Sequence, residues 1–194
     1  MTKIKNQRII GPIPLKGFQA ILQPSKKFEN YVLSLEVEEE DLVASLEAEF
    51  EELMEELKPK LKNPKRAVPK PEPWIEVEGN PDVYKFKFSW KETQKPTVTD
   101  AAGVPITNPK VPLYSDTIVK VAYHLRGYIS PDGQSFGVKL VCDGIRVLQL
   151  PGAGPSLSTN EVNDLFGEEE EEGFTFDPAA FAAAGEEDDD NIPF

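Results

Sequence analysis

Apolar and polar residues alternate in several short runs of the chain. Tyr31, Leu33, Leu35 and Val37 alternate with Val32, Ser34 and Glu36, the period of two that buries one face of a strand. From Val83 to Lys91 the alternation is nearly perfect: Tyr84, Phe86, Phe88 and Trp90 share one face, and Lys85, Lys87, Ser89 and Lys91 the other. Core packing is the favoured reading of that aromatic face, which leaves a row of lysines pointing outward. Ile118 to Leu125 alternates again, with Val119, Val121, Tyr123 and Leu125 on one side and Lys120, Ala122 and His124 on the other; Arg126-Gly127-Tyr128 is expected to leave the strand.

A longer period appears once. Leu42, Leu46, Phe50, Leu53, Met54 and Leu57 recur at three- and four-residue spacing, which predicts a helix over 42–57 with Asp41 as its N-cap and Glu on the opposite side. Pro59 ends it, and residues 58–66 continue as a basic connector punctuated by proline. Arg8 to Leu22 mixes apolar residues with Gly11, Pro12, Pro14 and Gly17 and reads as a broken or edge strand. Trp74 to Glu78 is a short strand before a turn at Gly79-Asn80-Pro81-Asp82, and Glu92 to Asp116 is a long excursion with a turn at Asp100-Ala101-Ala102-Gly103 and a short apolar piece from Val104 to Ile106. Ser130-Pro131-Asp132-Gly133 is a turn that makes a hairpin with a final strand, Phe136 to Leu150, interrupted by a bulge at Asp143-Gly144. Five or six strands and one inserted helix make a mainly β chain, and the oligonucleotide-binding (OB) barrel is the commonest such fold with basic strands. The folded domain is placed at 1–155; beyond it, 156–194 has too few apolar residues to offset chain entropy and reads as a disordered acidic interaction tail.

The charge supports that division. The 194 residues carry 34 acidic and 21 basic side chains, a net charge of −13 that as an average argues against a polyanionic partner. Yet 13 of the acids lie between Glu161 and Phe194 with no Lys or Arg, and 11 more lie between Glu36 and Glu56, again with no basic residue. What remains holds 21 basic against 10 acidic residues, the pattern of an anion-binding body with an acidic tail. Acids that merely keep the chain in solution are the blander reading. With one cysteine, Cys142, and one histidine, His124, no internal disulfide and no structural metal or cofactor is expected. No run approaches the ~18 apolar residues of a membrane span, and Met1 to Arg8 lacks an apolar signal core; the expected compartment is the cytoplasm.

Catalytic signatures are missing. Gly152-Ala153-Gly154 lacks the third glycine and the helix of a phosphate loop, nothing near His124 in sequence completes a triad, and solvated carboxylate runs do not give two acids different environments. The expectation is therefore a non-enzymatic binding protein. Single-stranded nucleic acid is held by cations that track phosphates and by aromatic faces on which bases stack. Lys85, Lys87, Lys91, Lys120 and Arg126 supply the charge, and Tyr128 is the best placed ring, with binding and packing evenly balanced as its roles.

The last residues, Glu186-Glu187-Asp188-Asp189-Asp190-Asn191-Ile192-Pro193-Phe194, resemble the tip of bacterial single-stranded DNA-binding proteins, which ends Asp-Ile-Pro-Phe; Asn191 stands in for the last aspartate. The order of strand 31–37, acidic helix, Tyr84-Lys85-Phe86-Lys87-Phe88, strand 118–128, strand 135–150 and acidic tail is similar to the single-stranded DNA-binding proteins of short-tailed bacteriophages, over about residues 8–194. That resemblance implies an OB barrel that coats single-stranded DNA in phage replication, recombination and repair, in the host cytoplasm. It implies a tail that recruits the polymerase and helicase-primase through Asp188, Asp189, Asp190, Ile192, Pro193 and Phe194 and that shields the DNA groove. It places DNA contacts on Lys85 and Lys87 and a stacking tyrosine on Tyr128. The family's second aromatic two positions later is Ser130 here, with Phe136 as the substitute. A homodimer, and RNA as ligand, stay open. The chief rival is an acidic adaptor or DNA mimic acting only through protein contacts; an enzyme built on the same barrel is a distant third.

Overall fold

The computed structural model describes residues 6–25, 29–38 and 40–151. The expected tail and its tip, Asp188 to Phe194, lie outside the described residues. Among the described residues, eight strands and one long helix follow in the order β1 (Arg8–Pro14), β2 (Tyr31–Val37), α1 (Glu40–Leu57), β3 (Val68–Pro69), β4 (Trp74–Val77), β5 (Asn80–Trp90), β6 (Thr97–Thr99), β7 (Ile118–Ile129) and β8 (Ser135–Gln149). One sheet runs β1-β7-β8-β3, with β6 also on β8; the other runs β2-β5-β4. Past Pro14 the first segment crosses to the second sheet, where Leu15 bridges Leu35 and Ala20 bridges Val32. One bent segment therefore serves both sheets, and the chain is a mainly β OB barrel with its helix inserted between the long strands β2 and β5.

Alternation builds the interior. Leu33, Leu35, Phe86, Phe88, Val119, Val121 and Tyr123 are fully buried, and Tyr123 meets Phe86 and Phe88 edge-on at centroid distances of 6.3 and 5.7 Å, the favoured geometry for aromatic quadrupoles. Val43 and Leu46 of α1 close one end, and Phe50 meets Trp74 edge-on at 6.1 Å. Glu49 faces inward from a helix whose Glu47, Glu51, Glu52, Glu55 and Glu56 are exposed, and Arg8 and Asn6 satisfy its carboxylate, tying α1 to the first strand. At the β1 irregularity between Ile10 and Ile13, Gly11 has φ +104°, and a Cβ there would lie 2.4 Å from the Val119 carbonyl oxygen, so no other residue fits.

Several expectations change. The helix begins at Glu40, so Asp41 lies inside its first turn rather than capping it. Arg126, Gly127 and Tyr128 remain in β7, paired with Lys139, Val138 and Gly137. Gly127 does not break the strand because Leu57 fills the place of its side chain, 3.1 Å from where a Cβ would sit. The last strand is continuous through Asp143, which is bulged but not interrupting. The turn before β5 is tighter than read, Glu78-Gly79. Two short strands were not anticipated: β3 in the basic connector and β6 in the long excursion, both parallel to β8. Val32 and Ser34 on the outer side of β2 are buried as well: Ala20 bridges Val32, and the Gln19 side chain bonds the Ser34 backbone at 3.1 and 2.7 Å.

Candidate nucleic-acid interface

The hairpin of β7 and β8 fixes which cations meet. A turn at Ser130 to Gln134, held by Ser130 N–H to the Ser135 carbonyl at 2.8 Å and by Gln134 N–H to Asp132 Oδ1 at 3.0 Å, sets the register. That register places Arg126 opposite Lys139 and Tyr128 opposite Gly137. Further along, the extra residue Asp143 shifts the pairing by one, so Lys120 falls opposite Arg146 and Ala122 opposite Gly144. Without the bulge Arg146 would turn into the core and Ile145 out of it. Asp143 is anchored where it stands: His124 Nδ1 lies 3.0 Å from both carboxylate oxygens, and Gln7 Nε2 donates to one at 3.1 Å.

The outer face of this sheet thus carries two pairs of like charges directly opposite each other. Such pairs destabilise a sheet, and neither Arg126 nor Lys139 makes an ion pair among the described residues. Between the pairs the small residues Ala122 and Gly144 leave a hollow of about 290 Å³, walled by Ile9, Thr97 and Thr99 and flanked by Lys120 and Arg146. Tyr128 stands at the hairpin end of the same face. The Lys70 side chain and the Tyr128 hydroxyl occupy the space above Gly137, 2.8 and 3.3 Å from where its Cβ would be, which half-buries the tyrosine and holds it against the sheet.

The expected residues separate into two rows. Lys120, Arg126 and Tyr128 share the β7–β8 face, whereas Lys85 and Lys87 are exposed on the outer face of β5, opposite Glu36 and Ser34 of β2, and exposed Lys91 follows the end of that strand. Phe136 is not available as a stacking ring: it is 4% exposed, packed inward against Leu57 and Leu61. Its place in phase with Val138 and Leu140 on β8 dictates this. Sequence reading missed Lys139, Arg146 and Lys70; the hairpin turn, counted outward, would have put Lys139 opposite Arg126. Cys142 faces inward, and burial, helped by the neighbouring Asp143 charge, pushes its thiol up to about 12. Among the described residues no group of three or more His, Cys, Asp or Glu could hold a metal ion, and no helix is long and apolar enough to cross a membrane.

Compared with solved structures, the chain superposes on gp2.5, a single-stranded DNA binding protein encoded by bacteriophage T7, with a TM-score of 0.57 and 17% identity over 79% of this chain and 99% of that one. The fold is that of a phage single-stranded DNA-binding protein. The single-stranded DNA-binding protein of bacteriophage Enc34 in complex with ssDNA matches at a TM-score of 0.48 and 13% identity, over 76% of this chain and 92% of that one. No protein-family model and no curated protein matches the sequence. At 17% identity the gp2.5 fold supplies the scaffold; the chemistry rests on this chain's own residues.

Proposed function

We propose that the chain is a non-enzymatic single-stranded DNA-binding protein of phage replication, recombination and repair, and that the outer face of β7 and β8 holds the DNA. The observation that carries this reading is the like-charge opposition of Arg126 and Lys139, with Lys120 opposite Arg146 further along the same face. A sheet that accepts such repulsion gains when a phosphate chain lies between the cations. Tyr128 offers a ring for a base, and the hollow over Ala122 and Gly144 admits a nucleotide between Lys120 and Arg146. The gp2.5 fold supports the reading at the level of scaffold. The tail from residue 156, with 13 acids and the tip Asp188-Asp189-Asp190-Asn191-Ile192-Pro193-Phe194, competes for the cations when DNA is absent and recruits replication proteins when DNA displaces it.

Fluorescence anisotropy of a labelled oligothymidine tests this with the full chain, a chain ending at Ser158, and Tyr128→Ala. Binding should weaken with salt and tighten on truncation, most at low salt. Tyr128→Ala should weaken it about five- to a hundredfold with the salt slope unchanged. Affinity unchanged by truncation removes the competing tail from the reading. No binding by any of the three favours a protein-only adaptor, to which the exposed Glu47, Glu51, Glu52, Glu55 and Glu56 of α1 would contribute.

A further inference from the structure

Six large apolar side chains are exposed among the described residues, and two of them are aromatic: Phe18 at 63% and Tyr114 at 64%. They stand on neighbouring loops that are pinned together. Ser115 Oγ donates to the Gly17 carbonyl at 3.0 Å, Lys16 Nζ pairs with Asp116 at 3.1 Å, and the Asp116 amide donates to the Leu15 carbonyl at 2.9 Å. Gly17 and Asp116 both adopt positive φ, +74° and +70°, so each ring sits beside a fixed bend in the backbone. Two exposed rings on loops tied to each other are unlike the scattered surface apolar residues of an ordinary domain.

Their surroundings are cationic. The space where a Gly17 side chain would be lies 3.7 Å from Lys85 Nζ, which brings the Phe18 loop beside the lysine row of β5. Exposed Lys87 continues that row, and Ile75, 71% exposed and paired with Lys85, borders it on β4. Asp116 is taken by Lys16, and Glu36 lies opposite Lys85 in the strand register. Rings beside lysines are what a single strand needs, a face for each base and a charge for each phosphate.

We infer that Phe18 and Tyr114 form a second base-stacking station, serving the Lys85 and Lys87 row, separate from Tyr128 on the other sheet. The inference rests on the single-strand reading above and adds ligand-contacting residues to it.

The test uses the full chain and labelled oligothymidine. Phe18→Ala and Tyr114→Ala should each weaken binding about five- to a hundredfold with the salt slope intact, and Phe18→Trp should restore it. Lys85→Ala and Lys87→Ala should each lower the slope by about 0.7. Trp74 and Trp90 are buried, at 4% and 6% exposure, so quenching by oligonucleotide of the extra emission from Phe18→Trp reports on this site. If the wild type and Tyr128→Ala behave as expected while the Phe18 and Tyr114 variants bind within twofold of wild type, this inference is wrong and the β7–β8 reading stands. If neither the full chain nor the chain ending at Ser158 binds, the single-strand reading itself fails. A change in sedimentation without a change in affinity overturns the inference by making the patch a protein contact.

Discussion

Replacing Arg126 with Gln should make the protein slightly more stable and a worse DNA binder, because the same charge that repels Lys139 across the hairpin attracts phosphate. Two charges on directly opposed long side chains, about 7 Å apart in water, repel by about 0.6 kcal/mol, and about 0.1 M salt halves that. A gain of about 0.3 kcal/mol corresponds to roughly 1 °C in Tm for a domain of this size, and it should vanish at about 1 M salt, where the Debye length is ~3 Å. The binding effect is larger. One counterion fewer released lowers the single-strand salt slope by about 0.7, which amounts to about eightfold in affinity at about 50 mM salt and about threefold at about 200 mM. Arg126→Glu, which turns the repulsion into an ion pair, should stabilise further and bind worse still. Calorimetry and anisotropy on the same samples across a salt series provide both readouts. A lower Tm for Arg126→Gln at low salt, or a loss of affinity that does not shrink as salt rises, would refute the argument.

Gly137→Ala should act through its neighbours: the new Cβ would meet the Lys70 Cβ at 2.8 Å and the Tyr128 hydroxyl at 3.3 Å. The nearest atom belongs to a side-chain root rather than a flexible end, so the two-residue β3 must move, at about 1–3 kcal/mol. A lower melting temperature together with weaker oligonucleotide binding checks this. Cys142 should resist alkylation near pH 8 in the native state and react only on unfolding, since burial raises its thiol to about 12; mass spectrometry after a denaturant pulse reads it. Because the folded-state value is the raised one, that contribution to stability is complete below about pH 9 and is lost as pH rises toward about 12.

Much of the barrel was legible because its long strands obey one period. β2, β5 and β7 follow the alternation of their apolar residues, and the bulge at Asp143 follows from the Asp-Gly pair. β3 and β6 were hidden for a physical reason: two or three residues show no periodicity, and they exist as strands only through β8, as in the Val68 and Lys70 amides donating to Gln134 and Phe136 carbonyls at 2.8 Å. Gly127 misled as a breaker, since what fills the gap is Leu57, distant in sequence. Phe136 is legible as core, in phase with Val138 and Leu140, and is offered as a stacking ring only because the resemblance calls for a second one.

The cations of the candidate site were legible as residues and not as a constellation, and the difference lies in one inserted residue. Residue type says that Lys120, Arg126, Lys139 and Arg146 carry charge; only register says that they oppose one another in pairs. Two countings are needed, outward from the hairpin turn and across the Asp143 bulge, and an error of one in either sends Arg146 into the core in place of Ile145. The bulge is thus as much a part of the proposed DNA site as the cations, although Asp143 is itself acidic. His124 and Gln7 occupy its carboxylate and hold the extra residue in place, and the next outward side chain on that strand with a charge is Arg146. An acid in a cationic face here serves to set the register that makes the face cationic.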